Sequence, residues 1–112
     1  MCIRDRAMIA PYEIPATRHD VVKHDAGLRV GYWRSVSHFQ NCFANETFID
    51  ELAAAAKADP VAYRMSLVSK SPRFQNVIKL ATEKAGWGSA PASGRGRGIA
   101  IMEGYDLSLI HI

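Results

Sequence analysis

Apolar residues recur with a helical period between about Asn41 and Lys57. They are spaced one or three residues apart, which places them on one broad face of a helix. The residues of this face are Phe48, Ile49, Leu52, Ala53 and Ala56. The pattern predicts an amphipathic helix with Glu46, Asp50 and Glu51 as solvated helix charges rather than catalytic acids.

Two further helices are predicted from paired start signals. Asp59-Pro60 and Ser71-Pro72 each place a side-chain oxygen before a proline, which suits the first turn of a helix. The first of these helices carries Val61, Tyr63, Leu67 and Val68 as its apolar residues. The second carries Phe74, Val77, Ile78, Ala81 and Ala85, and Gly86 is suited to end it.

The segments on either side of the helices are less regular. Residues 7–30 contain prolines and only brief apolar alternation, which predicts extended chain and loop with one or two short strands. Residues 31–40 form a polar and aromatic segment without a period, and residues 89–98 are typical of a surface loop. Residues 98–102 predict a strand whose partner strands are absent from the chain. The fold class is therefore α+β, with about three helices plus short strands.

The two ends of the chain can both be read as translations of the same DNA sequence. Residues 1–6 (MCIRDR) and 107–112 (LSLIHI) are translations of one short element read on its two strands, and that element resembles a sequencing-library adapter. Adapter translation does not contribute to a native fold and is set aside. We therefore expect two adapter-derived scars, at residues 1–6 and 107–112, around a native insert at residues 7–106.

Composition excludes several kinds of site. Residues 7–106 retain 12 of the 14 basic residues and 10 of the 11 acidic ones, an excess too small to indicate nucleic acid or a membrane surface. The sequence has no apolar run long enough for a membrane span. Cys42 is the only cysteine of the insert, and His19 and His24 lack a third ligand, so no metal site is expected.

The loop and the first two predicted helices carry an ordered set of residues at fixed spacings. The set is Trp33-Arg34-Ser35, Gln40, Glu46, Phe48, Asp50-Glu51, Asp59-Pro60 and Arg64. It resembles the molybdopterin-binding subunit of the molybdenum hydroxylases, the xanthine dehydrogenase and aldehyde oxidase family, and most closely the isoquinoline 1-oxidoreductase beta type. The stretches KAGWG (residues 84–88) and GRGRGIAI (residues 94–101) also fit, so the resemblance covers essentially residues 7–106.

This resemblance implies a fold, a cofactor and partners. The chain would be part of an aldehyde oxidase/xanthine dehydrogenase molybdopterin-binding domain. The cofactor would be molybdenum–molybdopterin, in its cytosine dinucleotide form, with iron–sulfur clusters on a small partner subunit. The reaction would be hydroxylation of an N-heteroaromatic ring or an aldehyde, with the oxygen supplied by water.

The resemblance also implies which residues contact the cofactor. In the wider family the loop follows the pattern Phe-Arg-Gly-Phe-Gly-x-Pro-Gln, so Trp33 and Arg34 take the Phe-Arg places and Gln40 takes the Gln place. A guanidinium and a primary amide can hydrogen-bond the anionic and planar acceptor groups of such a cofactor. Ser35 stands in place of the glycine, and Val36 stands where xanthine-type enzymes have an aromatic residue. The family's catalytic glutamate lies in a Gly-Val-Gly-Glu context that this chain lacks, so no catalytic residue is assigned and the fragment alone is expected to be inactive.

Other interpretations of the same residues stay open. Arg34 could be an ordinary surface arginine, Trp33 could pack in a core, and Gln40 could cap the following helix. The chain as a whole could instead be a small helical interaction module that docks a partner helix through Phe48, Ile49 and Leu52. A third possibility is a structural linker inside an unrelated enzyme. The sequence does not indicate a cellular compartment.

Overall fold

The computed structural model describes residues 11–18, 20, 22, 24–29, 31, 34–35, 38–104 and 107–111. These residues contain helices α1 (His38–Ala55), α2 (Pro60–Leu67) and α3 (Pro72–Lys84), followed by strands β1 (Ala100–Gly104) and β2 (Leu107–His111). The two strands form an antiparallel hairpin. The predicted α+β class with three helices is confirmed.

Helix α1 begins at His38, three residues before the predicted start, so part of the expected loop is helical. The predicted apolar face is only partly correct. Ile49 and Ala53 are buried, whereas 58% of Phe48 is exposed. The reason is geometric: each residue turns the helix by about 100°, so the buried line runs through residues 46, 49 and 53, and Phe48 points away from it.

Helix α2 begins as the sequence predicts. The Oδ1 atom of Asp59 accepts hydrogen bonds from the backbone N–H groups of Val61 (2.9 Å) and Ala62 (3.0 Å). These bonds satisfy two N–H groups that have no partner inside the helix. Pro60 occupies the first helical position, where its missing N–H costs nothing.

Helix α3 also begins at its predicted proline, but Ser71 makes no side-chain capping bond, contrary to the expectation. The Nε2 atom of Gln75 instead donates to the carbonyls of Val68 (3.1 Å) and Ser69 (2.9 Å), which ties α3 to the end of α2. The predicted stripe is confirmed, with Phe74 and Ile78 buried. Gly86 ends the helix with φ of +60°, a conformation that favours glycine.

One core unites these elements. Its buried members come from the N-terminal segment, α1, the residue that follows α2, α3 and the β1 region, and they are Tyr12, Ile49, Val68, Phe74, Ile78, Ile99 and Ile101. Leu52, Val61, Tyr63, Met65, Leu67 and Trp87 pack against it. Burial of this apolar surface stabilises the packing of the short helices.

Strand β1 begins two residues later than predicted. Contrary to the expectation that its partner strands are absent, it has a partner within the chain. It pairs with β2 in a register that places Ile101 opposite Ile110. Strand β2 lies in the segment that we interpret as adapter translation, and the proposed boundaries at residues 6 and 107 stay predictions. The loop before β1 is tied back by Arg97, whose Nη1 atom donates to the carbonyl of Ser89 (2.8 Å).

The core makes a first prediction. Ile78→Ala should lower the free energy of unfolding by about 2–5 kcal/mol, because Ile78 is fully buried and its truncation leaves a cavity. Leu80→Ala on the same helix should change it by less than about 0.5 kcal/mol, since 55% of Leu80 is exposed. Urea denaturation followed by far-ultraviolet circular dichroism measures both. Equal losses in the two variants would contradict the described core.

Candidate functional site

A buried ionic cluster lies between α1, α2 and β1. We call it the Glu46–Arg64 cluster, and its members are Tyr12, Glu46, Asp50 and Arg64. Arg64 is fully buried, and only 4% of Glu46 is exposed. Two opposite charges taken out of water must be paired and hydrogen-bonded, and here they are.

Glu46 is the acceptor at the centre of the cluster. Its Oε2 atom accepts from the Nε atom of Arg64 (3.0 Å) and from the backbone N–H of Ile101 (2.9 Å). The hydroxyl of Tyr12 donates to Oε1 (2.8 Å) and lies 3.0 Å from Oε2. A single carboxylate thus joins the N-terminal segment, α1, α2 and β1.

Arg64 donates hydrogen bonds to acceptors on both α1 and α2. Its Nη1 atom donates to Asp50 Oδ1 (2.6 Å) and to the carbonyl of Pro60 (3.2 Å), and its Nη2 atom donates to the carbonyl of Glu46 (3.0 Å). The fork-shaped guanidinium makes this possible, because it presents several N–H donors in one plane. Lysine could not reproduce the arrangement.

The electrostatics of the cluster follow from its burial. Burial raises the pKa of the Glu46 carboxyl, and the hydrogen bonds from Ile101, Tyr12 and Arg64 offset part of that rise. Burial and the neighbouring Glu46 carboxylate raise the pKa of Tyr12, so its hydroxyl stays a donor at neutral pH. Burial alone would lower the pKa of Arg64. The hydrogen bond to Asp50 and the charge of Glu46 outweigh this effect, so the pKa is raised overall and the guanidinium stays charged. Both oxygens of Glu46 are engaged, so the cluster holds the fold together and is not arranged as a catalytic base.

These residues correct the sequence analysis. The expectation that Glu46 is a solvated helix charge is wrong, since it is buried and paired with Arg64. Asp50 is half-exposed and also bound to Arg64, whereas Glu51 is exposed as expected. One signal was present in the sequence: Glu46 and Asp50 stand four residues apart and share a helix face with Ile49 and Ala53.

The predicted cofactor-contact residues lie around the start of α1. Arg34 and Ser35 form a turn, and the carbonyl of Ser35 accepts a hydrogen bond from the N–H of His38 (3.0 Å). Gln40 is exposed on the first turn of α1. The predicted contact at Trp33 lies outside the described residues. His38, expected in the loop, is buried at the start of the helix.

The donors of this region fit the chemistry of the expected cofactor. Arg34 is exposed and forms no ion pair with another described residue, and Gln40 makes no side-chain bond within the part of the chain that the structure describes. Gln40 therefore makes no capping bond to the N–H groups that the structure describes at the start of α1. A charged planar donor and an amide donor are thus available at the same end of one helix. Such donors suit a ligand with phosphate and planar acceptor groups.

The described residues offer no cluster of side chains for direct metal binding. No group of three or more His, Cys, Asp or Glu side chains is arranged to hold a metal ion there. Cys42 is half-buried, and burial raises the pKa of its thiol. No helix in the described part of the chain is long and apolar enough to cross a membrane.

Two curated proteins are similar to this chain. One is a subunit of the nicotinate dehydrogenase of Pseudomonas putida, 40% identical over 83 residues, which are 74% of this chain and 7% of that protein. The other is the beta subunit of the isoquinoline 1-oxidoreductase of Brevundimonas diminuta, 31% identical over 94 residues, which are 84% of this chain and 12% of that protein. No protein-family profile matches, and no solved structure matches.

The chain therefore spans about a tenth of the length of the curated relatives it matches. Both relatives are molybdenum hydroxylase subunits, so the resemblance stated from the sequence is confirmed over the aligned stretch.

The Glu46–Arg64 cluster makes a second prediction. Arg64→Met should lower the free energy of unfolding by about 3–5 kcal/mol, because it leaves Glu46 and Asp50 without their cationic partner. Arg95→Met removes the same charge from an exposed loop position and should cost less than about 0.5 kcal/mol. Urea titration of both variants provides the measurement. A loss at Arg64 no larger than at Arg95 would mean that the buried pair does not stabilise the fold.

A third prediction concerns acid stability at the start of α2. Asp59 Oδ2 accepts from the Trp87 indole N–H (3.0 Å), and this bond, together with those from Ala62 and Val61, lowers the pKa of Asp59. A carboxyl with a lowered folded pKa contributes stability above its unfolded pKa of about 3.9 and loses it as pH falls through the folded value.

Asp59→Asn keeps a capping acceptor but cannot titrate. As the pH is lowered below about 4, the urea midpoint of this variant should therefore fall less than that of the unmodified chain. Glu51→Gln removes the same charge from an exposed position of α1 and is the control. Its urea midpoint should change with pH as that of the unmodified chain does. If Asp59→Asn loses stability in acid as steeply as the unmodified chain, titration of Asp59 is not the cause of the acid sensitivity.

Proposed function

We propose that this chain, which aligns with a segment of two molybdenum hydroxylase subunits, is part of the molybdopterin-binding subunit of such an enzyme. The observation that supports this most directly is the exposed donor pair at the start of α1. Arg34 and Gln40 stand at the positions that the family pattern assigns to cofactor contact, and both are exposed. We propose Trp33, Arg34 and Gln40 as the cofactor-binding residues of the chain.

The bound group would be the molybdenum–molybdopterin cofactor, in the cytosine dinucleotide form. When bound, it supplies the centre at which a carbon of the substrate is hydroxylated with oxygen from water. The contribution of this chain is binding and orientation. Arg34 would donate charge-assisted hydrogen bonds to an anionic group, and Gln40 would offer one amide donor and one acceptor to a planar ring edge.

The substrate is proposed to be an N-heteroaromatic ring rather than an aldehyde. The two relatives are named for nicotinate and isoquinoline, and each of these is an aromatic ring that contains nitrogen. Electrons would leave through iron–sulfur clusters on a small partner subunit. These features belong to the proposed parent enzyme rather than to the chain alone.

The chain is proposed to be inactive in isolation. Glu46 is the most buried carboxylate of the described residues, and both of its oxygens accept bonds that hold the fold. A base must be free to take up a proton from a reacting group. We therefore propose that the catalytic glutamate lies in another part of the parent subunit.

The rival interpretation as a helix-docking module receives no support from packing. It required Phe48, Ile49 and Leu52 to form one exposed face. Ile49 is 3% exposed, and Leu52 packs against the core. Of the three, Phe48 alone is largely exposed, and a single side chain does not make a groove-binding face.

The proposal makes a fourth prediction, tested in the intact parent subunit. Arg34→Ala should lower the molybdenum content of the purified enzyme several-fold, because loss of a charge-assisted contact costs on the order of 1.5–3 kcal/mol of binding. The melting temperature of the apoprotein should not change, since Arg34 makes no ion pair with other described residues. Metal analysis and thermal unfolding are the two measurements.

Arg95→Ala is the matched control for this experiment. Arg95 is exposed in the loop between α3 and β1, so the variant removes the same charge away from α1. Molybdenum content should stay at the level of the unmodified enzyme. Full molybdenum content and normal turnover in Arg34→Ala would remove Arg34 from the proposed site.

A further inference from the structure

The turn before α1 has an unusual backbone conformation. Among the described residues, Ser35 (φ +62°) and Lys57 (φ +54°) are the non-glycine residues with positive φ. Where the described chain takes up this conformation elsewhere, it uses glycine, at Gly27, Gly86 and Gly94. A residue with a Cβ disfavours this region on the order of tenfold in population, so its use at Ser35 requires a reason.

The other such position, Lys57, has an ordinary explanation. It follows the end of α1, and its N–H donates to the carbonyl of Ala54 (3.0 Å), while Ala58 donates to Ala53 (2.9 Å). A left-handed residue after the last turn is a common way to satisfy the free carbonyls of a helix. Nothing beyond the end of the helix is needed to account for it.

Ser35 is not at the end of a helix. It lies next to Arg34 and three residues before His38, and its carbonyl accepts the His38 N–H, which docks the turn onto the first turn of α1. The Ser35 hydroxyl makes no hydrogen bond with a described residue. The conformation is therefore maintained by the backbone of the turn, beside an exposed arginine with no ion pair in the described chain.

We propose that the left-handed turn at Ser35 is a positioning device for Arg34, fixing where its guanidinium is presented relative to α1 for contact with the anionic part of the cofactor. This inference rests on the proposed function and assigns Ser35 a role through Arg34 rather than a contact of its own. Strained backbone of this kind persists where the surroundings hold it, often at ligand sites. The device requires the backbone conformation and not the hydroxyl.

The test is a substitution series at residue 35 in the intact parent subunit, read out as molybdenum per subunit and as the melting temperature of the apoprotein. Ser35→Gly and Ser35→Asn tolerate positive φ and should keep the molybdenum content. Ser35→Val, which is β-branched, should lower it to less than about half, because the competent turn becomes on the order of tenfold rarer.

Lys57→Val is the matched control, since it places the same side chain at the other non-glycine position with positive φ, just after the end of α1. It should lower the melting temperature without lowering the molybdenum content. If the Ser35→Val protein does not fold, Ser35→Thr carries the test: it keeps the hydroxyl but is β-branched, so it should hold less molybdenum than Ser35→Gly. A merely structural role would move melting temperature and molybdenum content together.

A double variant tests whether Ser35 acts through Arg34. Arg34→Ala with Ser35→Val should hold as much molybdenum as Arg34→Ala alone, because a displaced alanine has no contact left to lose. An additive loss would overturn the inference, as would a Ser35→Gly variant as depleted as Ser35→Val, which would indicate a direct role of the hydroxyl. If Arg34→Ala is depleted and Ser35→Val is not, this inference fails while the proposed function stands. If neither variant is depleted, the assignment of Arg34 fails as well.

Discussion

The buried pair between Glu46 and Arg64 is the interaction on which the described structure depends. These two side chains connect four parts of the chain that are distant in sequence: the segment at Tyr12, helix α1, helix α2 and strand β1. Short helices have little stability of their own, and here α1 and α2 pack against each other with this pair between them. Because each charge is almost completely removed from water, the pair is stabilising only while every partner is in place.

The same pair has a consequence for the proposed site. It fixes the middle of α1, and the start of α1 carries the turn at Arg34 and Ser35 as well as the exposed Gln40. The polar residues of the family pattern thus divide into two groups with different tasks. Glu46 and Arg64 are buried and, with the half-exposed Asp50, hold the helix in place, whereas Arg34 and Gln40 are exposed and, in the proposed site, offer their donors to a ligand. A binding loop is precise when it is supported by rigid elements in this way.

Local signals allowed much of the fold to be predicted from the sequence. Asp59-Pro60 and Gly86 mark helix ends because their chemistry acts within a few residues, and both are found where expected. The environment of Glu46 was missed because its partner Arg64 is 18 residues away, and a pairing of this kind leaves no period in the sequence. Phe48 was misassigned because the apolar spacing defines a broad face, and the pattern alone does not show which edge of that face is covered by the core. For the site, the family resemblance implied the ligand, whereas the left-handed turn at Ser35 is visible only in the backbone.

The central claim is that the start of α1 binds a molybdenum-bearing pterin within a larger enzyme. The most direct measurement is metal and pterin analysis of the unmodified parent subunit, purified with its natural partners. We predict molybdenum and a pterin dinucleotide in comparable molar amounts, retained through purification. A parent protein that is folded and purified intact but contains neither molybdenum nor pterin would contradict the account.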